Sequence, residues 1–144
     1  VTGTVKTLAK VADKTFADKV LGDGAAIFPS EGRVYAPADG TVVNIMDTKH
    51  GIMFVADSGA EILIHIGLDT VNLKGKYFKS YVTDGERVKK GALLVEFDLE
   101  AIKKEGYDLT TSVVVTNISD YIKAVCMEKE GSEISAGEKF LTVV

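Results

Sequence analysis

The chain's two histidines, His50 and His65, are the residues whose type and spacing point most directly to chemistry. The segment between them reads as strand, turn and strand, which predicts a β-hairpin. A two-residue loop of Asp57 and Ser58 makes the histidines face each other, with Cβ atoms about 5 Å apart. A loop of Ser58 and Gly59 places them diagonally on one face, whereas a three-residue loop separates them onto opposite faces unless a bulge restores the parity. Two of these three registers therefore pair the imidazoles.

Paired neutral imidazoles can bind a metal, relay a proton, or act as a nucleophile and a charge-stabilising partner. A metal site would need a third ligand, and the chain has no third histidine and only one cysteine. We therefore expect no bound metal. The simplest alternative is that both are incidental surface histidines, and their placement opposite each other weighs against it.

The strand that carries His65 shows which side of the hairpin the histidine occupies. Alternate residues of this strand form a continuous apolar side that predicts the face toward the core: Ile62, Ile64, Ile66 and Leu68. His65 therefore lies on the other, less buried face, together with Leu63. We expect both imidazoles to sit in an apolar, partly open surface of the hairpin.

The elements that position the histidines are predicted to be short strands. Glycine occurs 14 times in 144 residues, mostly about eight residues apart, between β-branched and apolar runs. Only residues 13–21 and 98–105 have helical spacing; in the second stretch Asp98 can cap the helix and Gly106 can end it. The pattern predicts one all-β domain over residues 1–144, an antiparallel sandwich or barrel with a few short helices.

Composition excludes several functions. The net charge of −4 argues against a nucleic-acid partner, because phosphate binding requires a basic face. A single cysteine permits no internal disulfide, which is typical of a reducing compartment. No apolar run approaches the roughly 18 residues of a membrane span, so we expect no direct membrane insertion. Because the chain begins at Val1 without methionine, we expect a piece excised from a longer protein.

Two turn-rich units leave a second function open. Residues 32–42 and 85–94 resemble, in fold alone, the hammerhead halves of biotinyl and lipoyl carriers. A carrier of that kind, or a regulatory binding module of similar architecture, is therefore the alternative. The attachment lysine would be Lys49, but such lysines usually stand in Met-Lys-Met or Asp-Lys-Ala, and neither string occurs here. A zinc peptidase would need a His-x-His pair, which the residues after His65 do not supply.

Four strings closely resemble the glucose-class IIA domain of the bacterial phosphoenolpyruvate-dependent sugar phosphotransferase system. They are Gly-Asp-Gly-Ala-Ala-Ile at 22–27, Ala-Pro-Ala-Asp-Gly at 36–40, Thr-Lys-His at 48–50 and Ile-Leu-Ile-His-Ile-Gly-Leu-Asp-Thr-Val at 62–71. Residues 106–111 are more similar to IIA domains fused to β-glucoside-type permeases. The resemblance implies an antiparallel β-sandwich with Greek-key crossings that acts as a phosphocarrier.

The resemblance implies a role for each residue of the site. His65 matches the histidine that is phosphorylated through Nε2, and His50 matches the partner that steadies the phosphoryl oxygens. Thr48 matches the threonine that orients this partner, and the backbone carbonyl of Gly67 holds Nδ1 of the nucleophile and so sets its tautomer. The residues predicted to form the rim on which partner proteins dock are Phe16, Val20, Leu21, Met46, Leu63, Asp69 and Val71.

The function implied is that of a phosphotransferase that uses no cofactor. It accepts a phosphoryl group from the histidine phosphocarrier protein onto His65 and passes it to a cysteine of a IIB domain during sugar uptake. It is expected to act as a cytoplasmic monomer, tethered to the inner face of the membrane when a permease carries it. Because water readily cleaves phosphohistidine, an apolar collar that includes Met46 and Leu63 should exclude it.

Four residues depart from the pattern of this family. Gly51 stands where the resemblance predicts alanine, and Ser112 stands where it predicts proline. Met46 and Leu63 stand where some members carry phenylalanine. None of the four belongs to the predicted phosphoryl-transfer residues, so the departures bear on partner preference rather than on activity.

Overall fold

Short antiparallel strands make up most of the computed structural model, which describes residues 1, 3–7, 23–117, 124–126, 133–134 and 141–143. The strands are β1 (Gly3–Thr7), β2 (Asp23–Pro29), β3 (Arg33–Tyr35), β4 (Gly40–Ile45), β5 (Gly51–Ala56), β6 (Glu61–His65), β7 (Phe78–Ser80), β8 (Arg87–Val88), β9 (Leu93–Phe97), β10 (Thr111–Val115), β11 (Ala124–Cys126), β12 (Glu133–Ile134) and β13 (Leu141–Val143). A 3-10 helix covers Thr70–Leu73, and the α-helix α1 covers Leu99–Lys104.

The described strands form one large sheet and two small ones. The large sheet has eight strands in the order β12-β1-β2-β10-β6-β5-β4-β8, the second has the order β3-β9-β7, and β11 pairs with β13. β4, β5 and β6 are neighbours both in sequence and in the sheet, whereas β10 enters between β6 and β2 by a crossover. Every pairing is antiparallel. The predicted all-β antiparallel fold is confirmed.

The predicted helix after β9 is confirmed with its cap. A carboxylate oxygen of Asp98 accepts a hydrogen bond from the backbone N–H of Ala101 at 3.1 Å, as expected of an N-cap residue. Gly106, with φ of 89°, follows the end of the helix. The other predicted helix, over residues 13–21, lies outside the described residues. Within the described ranges, no helix is long and apolar enough to cross a bilayer.

The main core lies on one face of β5 and β6, and it contains Ile52, Phe54, Ile64 and Ile66 together with residues of β9 and α1. A second, smaller cluster forms on the other face of β6. It buries Leu63, which is only 5% exposed. The expectation of an open face beside Leu63 is therefore wrong.

The burial of Leu63 has a cross-strand cause. Its register partners are Met53 on β5 and Val114 on β10, so apolar side chains flank it on both sides. Ala26 and Leu68 complete the cluster. A strand in the middle of a wide sheet can thus bury residues of both faces, which its own alternation does not reveal.

The hairpin of β5 and β6 has the three-residue loop. Ala56 donates its backbone N–H to the carbonyl of Ala60 at 2.9 Å, and Gly59, with φ of 100°, donates to the carbonyl of Ala56 at 2.9 Å. In this register Gly51 pairs with His65. Strand alternation alone would then place the two histidines on opposite faces, which is the register that the sequence argument favoured least.

Candidate active site

The two imidazoles nevertheless meet, because His50 stands just outside β5. The preceding residue, Lys49, has φ of 62°, and its N–H donates to the carbonyl of Met46 at 2.7 Å, which closes a tight turn. His50 is therefore freed from the alternation of the strand. Its ring contacts that of His65 edge-on, with 4.8 Å between centroids and 86° between planes. The predicted pairing is confirmed, although a turn produces it rather than a two-residue loop.

His65 is half-buried, and its tautomer is set by one backbone group. Nδ1 lies 2.9 Å from the carbonyl oxygen of Gly67. A carbonyl can only accept, so Nδ1 carries the hydrogen and donates it, and the neutral ring keeps its lone pair on Nε2. This is the nitrogen that a nucleophilic histidine must expose.

The loop that holds the Gly67 carbonyl is braced from two sides. The Thr70 hydroxyl donates to the carbonyl of Ile66 at 2.5 Å, and the Leu68 N–H donates to the carbonyl of Asp108 at 2.8 Å. Gly67 itself has φ of 75°, and a Cβ added there would lie 2.6 Å from Cγ2 of Thr70. Glycine is therefore required both by the backbone conformation and by the space available.

His50 is buried, in contrast to the expected open surface. It is 5% exposed, because the turn at residues 46–49 places it against His65 rather than toward solvent. Burial, and secondarily the positive charge of a protonated His65 beside it, lower the pKa of His50 from 6.5 to about 4. His50 is thus a neutral imidazole at pH 7. Its Nδ1 shares a hydrogen bond of 2.5 Å with the hydroxyl of Thr48.

The predicted docking rim is only partly at the surface. Met46 and Val71 are 36% and 49% exposed, and Asp69 is exposed as well. The side chain of Asp69, at the start of the 3-10 helix, makes no capping hydrogen bond. Leu63 is buried in the second core cluster and cannot form part of the rim. Phe16, Val20 and Leu21 lie outside the described residues.

Three further residues shape the site, although the sequence did not predict them as site residues. Thr70 and Asp108 brace the Gly67 loop, and sequence reasoning saw them only as letters of a family string. Ser112 is the register partner of His65 on β10. Its hydroxyl is fully buried and has no hydrogen-bond partner within the described structure. The neighbours of His65 on both adjacent strands are thus small, Ser112 on β10 and Gly51 on β5.

The arrangement supplies a nucleophilic nitrogen beside a neutral, hydrogen-bonding imidazole in a largely apolar setting. Within the described residues, no group of three or more His, Cys, Asp or Glu is placed to hold a metal ion. Nucleophilic group transfer with charge stabilisation by the second imidazole is the chemistry these groups can perform through their own atoms.

Comparison with known proteins points to the same chemistry. The family described as phosphoenolpyruvate-dependent sugar phosphotransferase system, EIIA 1, matches residues 1–121. A β-glucoside-specific EIIBCA component of Dickeya chrysanthemi is 53% identical over 119 residues, which are 83% of this chain and 19% of that protein. A glucose-specific EIIA component of Halalkalibacterium halodurans is 44% identical over 142 residues, 99% of this chain and 81% of that protein.

A solved structure agrees with the fold. Glucose permease IIA from Mycoplasma capricolum superposes with a TM-score of 0.86 at 36% identity, covering 97% of this chain and 89% of that one. The chain spans about a fifth of the length of the β-glucoside-specific EIIBCA components that it matches.

Substitution of Gly67 tests the bracing of the loop. Gly67→Ala should lower the free energy of unfolding by about 1–3 kcal/mol, because it combines a strained φ with a collision against Thr70. Gly85→Ala is the matched control: its φ of 83° is similar, but nothing lies within 4 Å of the added Cβ. It should cost only about 1 kcal/mol. Equal losses in urea unfolding would show that the contact with Thr70 is unimportant.

The low pKa of His50 predicts a pH-dependent contribution to stability. In the unfolded chain His50 titrates near 6.5, and in the folded protein near 4. The unfolded state therefore binds more protons between these values, so the stabilisation is complete above pH 6.5 and declines toward pH 4. Relative to His50→Gln, the wild type should lose on the order of 3 kcal/mol of unfolding free energy from pH 7 to pH 4. A pH-independent difference between the two proteins would contradict the assignment.

Proposed function

The chain belongs to the EIIA 1 family of the phosphoenolpyruvate-dependent sugar phosphotransferase system, and we propose that it carries the phosphoryl group on Nε2 of His65. The observation that carries this proposal is the hydrogen bond from Nδ1 of His65 to the Gly67 carbonyl, which leaves the lone pair on Nε2. Components of this system transfer phosphoryl groups. Family membership also sets aside the biotinyl- or lipoyl-carrier alternative.

Loading and unloading of His65 are two in-line displacements. The Nε2 lone pair forms the new N–P bond while the N–P bond of the donor's phosphohistidine breaks and its electrons return to the donor. In the second step a cysteine thiolate forms an S–P bond, and Nε2 of His65 recovers its electron pair. Transition states of phosphoryl transfer are loose, so positioning and charge stabilisation do most of the catalysis.

His50 stabilises the phosphoryl oxygens in this proposal. The hydroxyl of Thr48 and Nδ1 of His50 share a hydrogen bond. We propose that the hydroxyl is the donor, which places the ring hydrogen on Nε2, where it can be donated to a phosphoryl oxygen. His50 lies in edge contact with His65, so the donor stands beside the reacting nitrogen before transfer begins. Its low pKa keeps it neutral at pH 7. It therefore contributes a directed N–H rather than a charge.

The partners follow from the same relay. We propose the histidine phosphocarrier protein as donor and a IIB-domain cysteine as acceptor, with Met46, Asp69 and Val71 forming the described part of the docking rim. The β-glucoside-specific relatives support a sugar of that class. Residues 1–144 would then be the single IIA domain of a longer permease, monomeric and facing the cytoplasm.

Replacement of each histidine by glutamine separates the two roles. His65→Gln should abolish phosphorylation, because it removes the nucleophile. His50→Gln should still be phosphorylated, since His65 remains, but should pass the group on about 100-fold more slowly, the usual cost of losing one transition-state hydrogen-bond donor. Rapid-quench phosphorylation by the upstream carrier, followed by transfer to a IIB domain, measures both steps.

The number and chemical stability of the phosphoryl groups bound to the protein provide the control. One acid-labile, alkali-stable phosphoryl group should be found per chain of the wild type. If His50→Gln resisted phosphorylation while His65→Gln accepted it, the nucleophile would be His50. Two groups per chain would likewise contradict a single phosphorylated histidine.

The role of Thr48 can be tested with two nearly isosteric variants. Thr48→Val removes the hydroxyl that orients His50 and should slow transfer from phospho-His65 to the IIB domain by about fivefold, the rate equivalent of one hydrogen bond worth ~1 kcal/mol. Thr48→Ser keeps the hydroxyl and should transfer at nearly the rate of the wild type. Equal rates for the valine and serine variants would show that the hydroxyl does not orient His50.

A further inference from the structure

The neighbour of His65 on β5 is a glycine, and this leaves space directly beside the nucleophile. Gly51 and His65 are register partners in the antiparallel ladder. Side chains of directly opposed residues lie on the same face, with Cβ atoms about 5 Å apart. Any side chain at position 51 would therefore stand next to the imidazole of His65.

The side chain of Met46 occupies that space. A Cβ built on Gly51 would lie 2.5 Å from Sδ, 2.8 Å from Cε and 3.2 Å from Cγ of Met46. Met46 reaches this position from the end of β4, where its backbone N–H donates to the carbonyl of Gly51 at 3.0 Å. The thioether thus lies flat across the glycine on the face that His65 shares, while Met46 as a whole remains 36% exposed.

The two residues constrain each other sterically. Distances below 3.0 Å between a Cβ and another heavy atom do not persist in proteins, so a methyl group at position 51 and this conformation of Met46 exclude each other.

We propose that Gly51 is a positioning residue that seats the thioether of Met46 beside the His50–His65 pair, where Met46 shields phospho-His65 from water. The proposal rests on the phosphorylation of His65 proposed above. In the reaction that Met46 impedes, a water oxygen forms a bond to phosphorus, the N–P bond breaks, and its electrons return to Nε2 as inorganic phosphate leaves. A flexible, polarisable thioether suits this place because it can fill an irregular gap and still yield to an incoming partner.

The test is the lifetime of the isolated phosphorylated domain, with no partner present. Gly51→Ala should fold with nearly unchanged stability, because the added methyl group meets the mobile end of a side chain rather than backbone. It should be phosphorylated at His65, yet lose the group to water several-fold faster than the wild type. Met46→Ala should show the same faster hydrolysis.

The double variant decides whether the two residues act as one unit. If the glycine serves only to seat the methionine, Gly51→Ala combined with Met46→Ala should hydrolyse no faster than Met46→Ala alone. Val43→Ala is the control, because Val43 is an exposed apolar residue of β4, the strand that Met46 follows. The phosphorylated Val43→Ala protein should have the wild-type lifetime. If the two substitutions raised the hydrolysis rate additively in the double variant, Gly51 would not act by positioning Met46.

A structural readout keeps this proposal separate from the proposed function. In methyl-labelled protein, the Met46 methyl group should show nuclear Overhauser contacts to the imidazole protons of the site, and these should disappear in Gly51→Ala. A Gly51→Ala protein that keeps the contacts, or that loses them with an unchanged phosphohistidine lifetime, would overturn the proposal. A wild-type domain that is not phosphorylated on His65 would instead overturn the proposed function. The methyl contacts would still test whether Gly51 holds the Met46 side chain beside the imidazoles.

Discussion

The hydrogen bond from Nδ1 of His65 to the carbonyl of Gly67 is the constraint on which the site depends. It determines which ring nitrogen is free, and an imidazole held in the other tautomer would have its lone pair directed into the protein. The bond exists because a glycine adopts a left-handed conformation directly after the strand, and because Thr70 and Asp108 hold the loop on either side. The reactivity of one side chain is thus controlled by a backbone carbonyl two residues after it, in a loop held by the Thr70 hydroxyl and the Asp108 carbonyl.

The second imidazole, that of His50, is placed in the site at the expense of its contact with water and of its ability to be protonated. His50 is removed from water and loses most of its capacity to be protonated near neutral pH. It stands in edge contact with His65 as a neutral imidazole, and its Nδ1 shares a hydrogen bond with the hydroxyl of Thr48. In the proposed function, a preorganised neutral donor would stabilise charge that develops on a phosphoryl group without binding the resting ion too tightly, which would suit a carrier that must release what it accepts.

The surroundings of His65 come from the strands on both sides of it. Ser112 and Gly51 are small, and Met46 fills the space above the glycine, so the packing around His65 is assembled from three separate strands or turns. Leu63, two residues before His65, is enclosed by Met53 and Val114 and belongs to the core rather than to the proposed docking surface. Which residues are exposed near the site is therefore a property of the sheet as a whole.

The sequence by itself determined the all-β character, the hairpin between the histidines, the capped helix after β9, the family, and the pair His50 and His65, because these follow from local periodicity, turn residues and four specific strings. Only the tertiary structure decided the three-residue loop, the burial of His50 and Leu63, and the seating of Met46 on Gly51. Strand alternation repeats every two residues and says which side chains share a face, but not what lies across from them. The positive φ of Lys49, which brings the imidazoles together despite the register, depends on contacts made by the folded chain and leaves no trace in the pattern of residues.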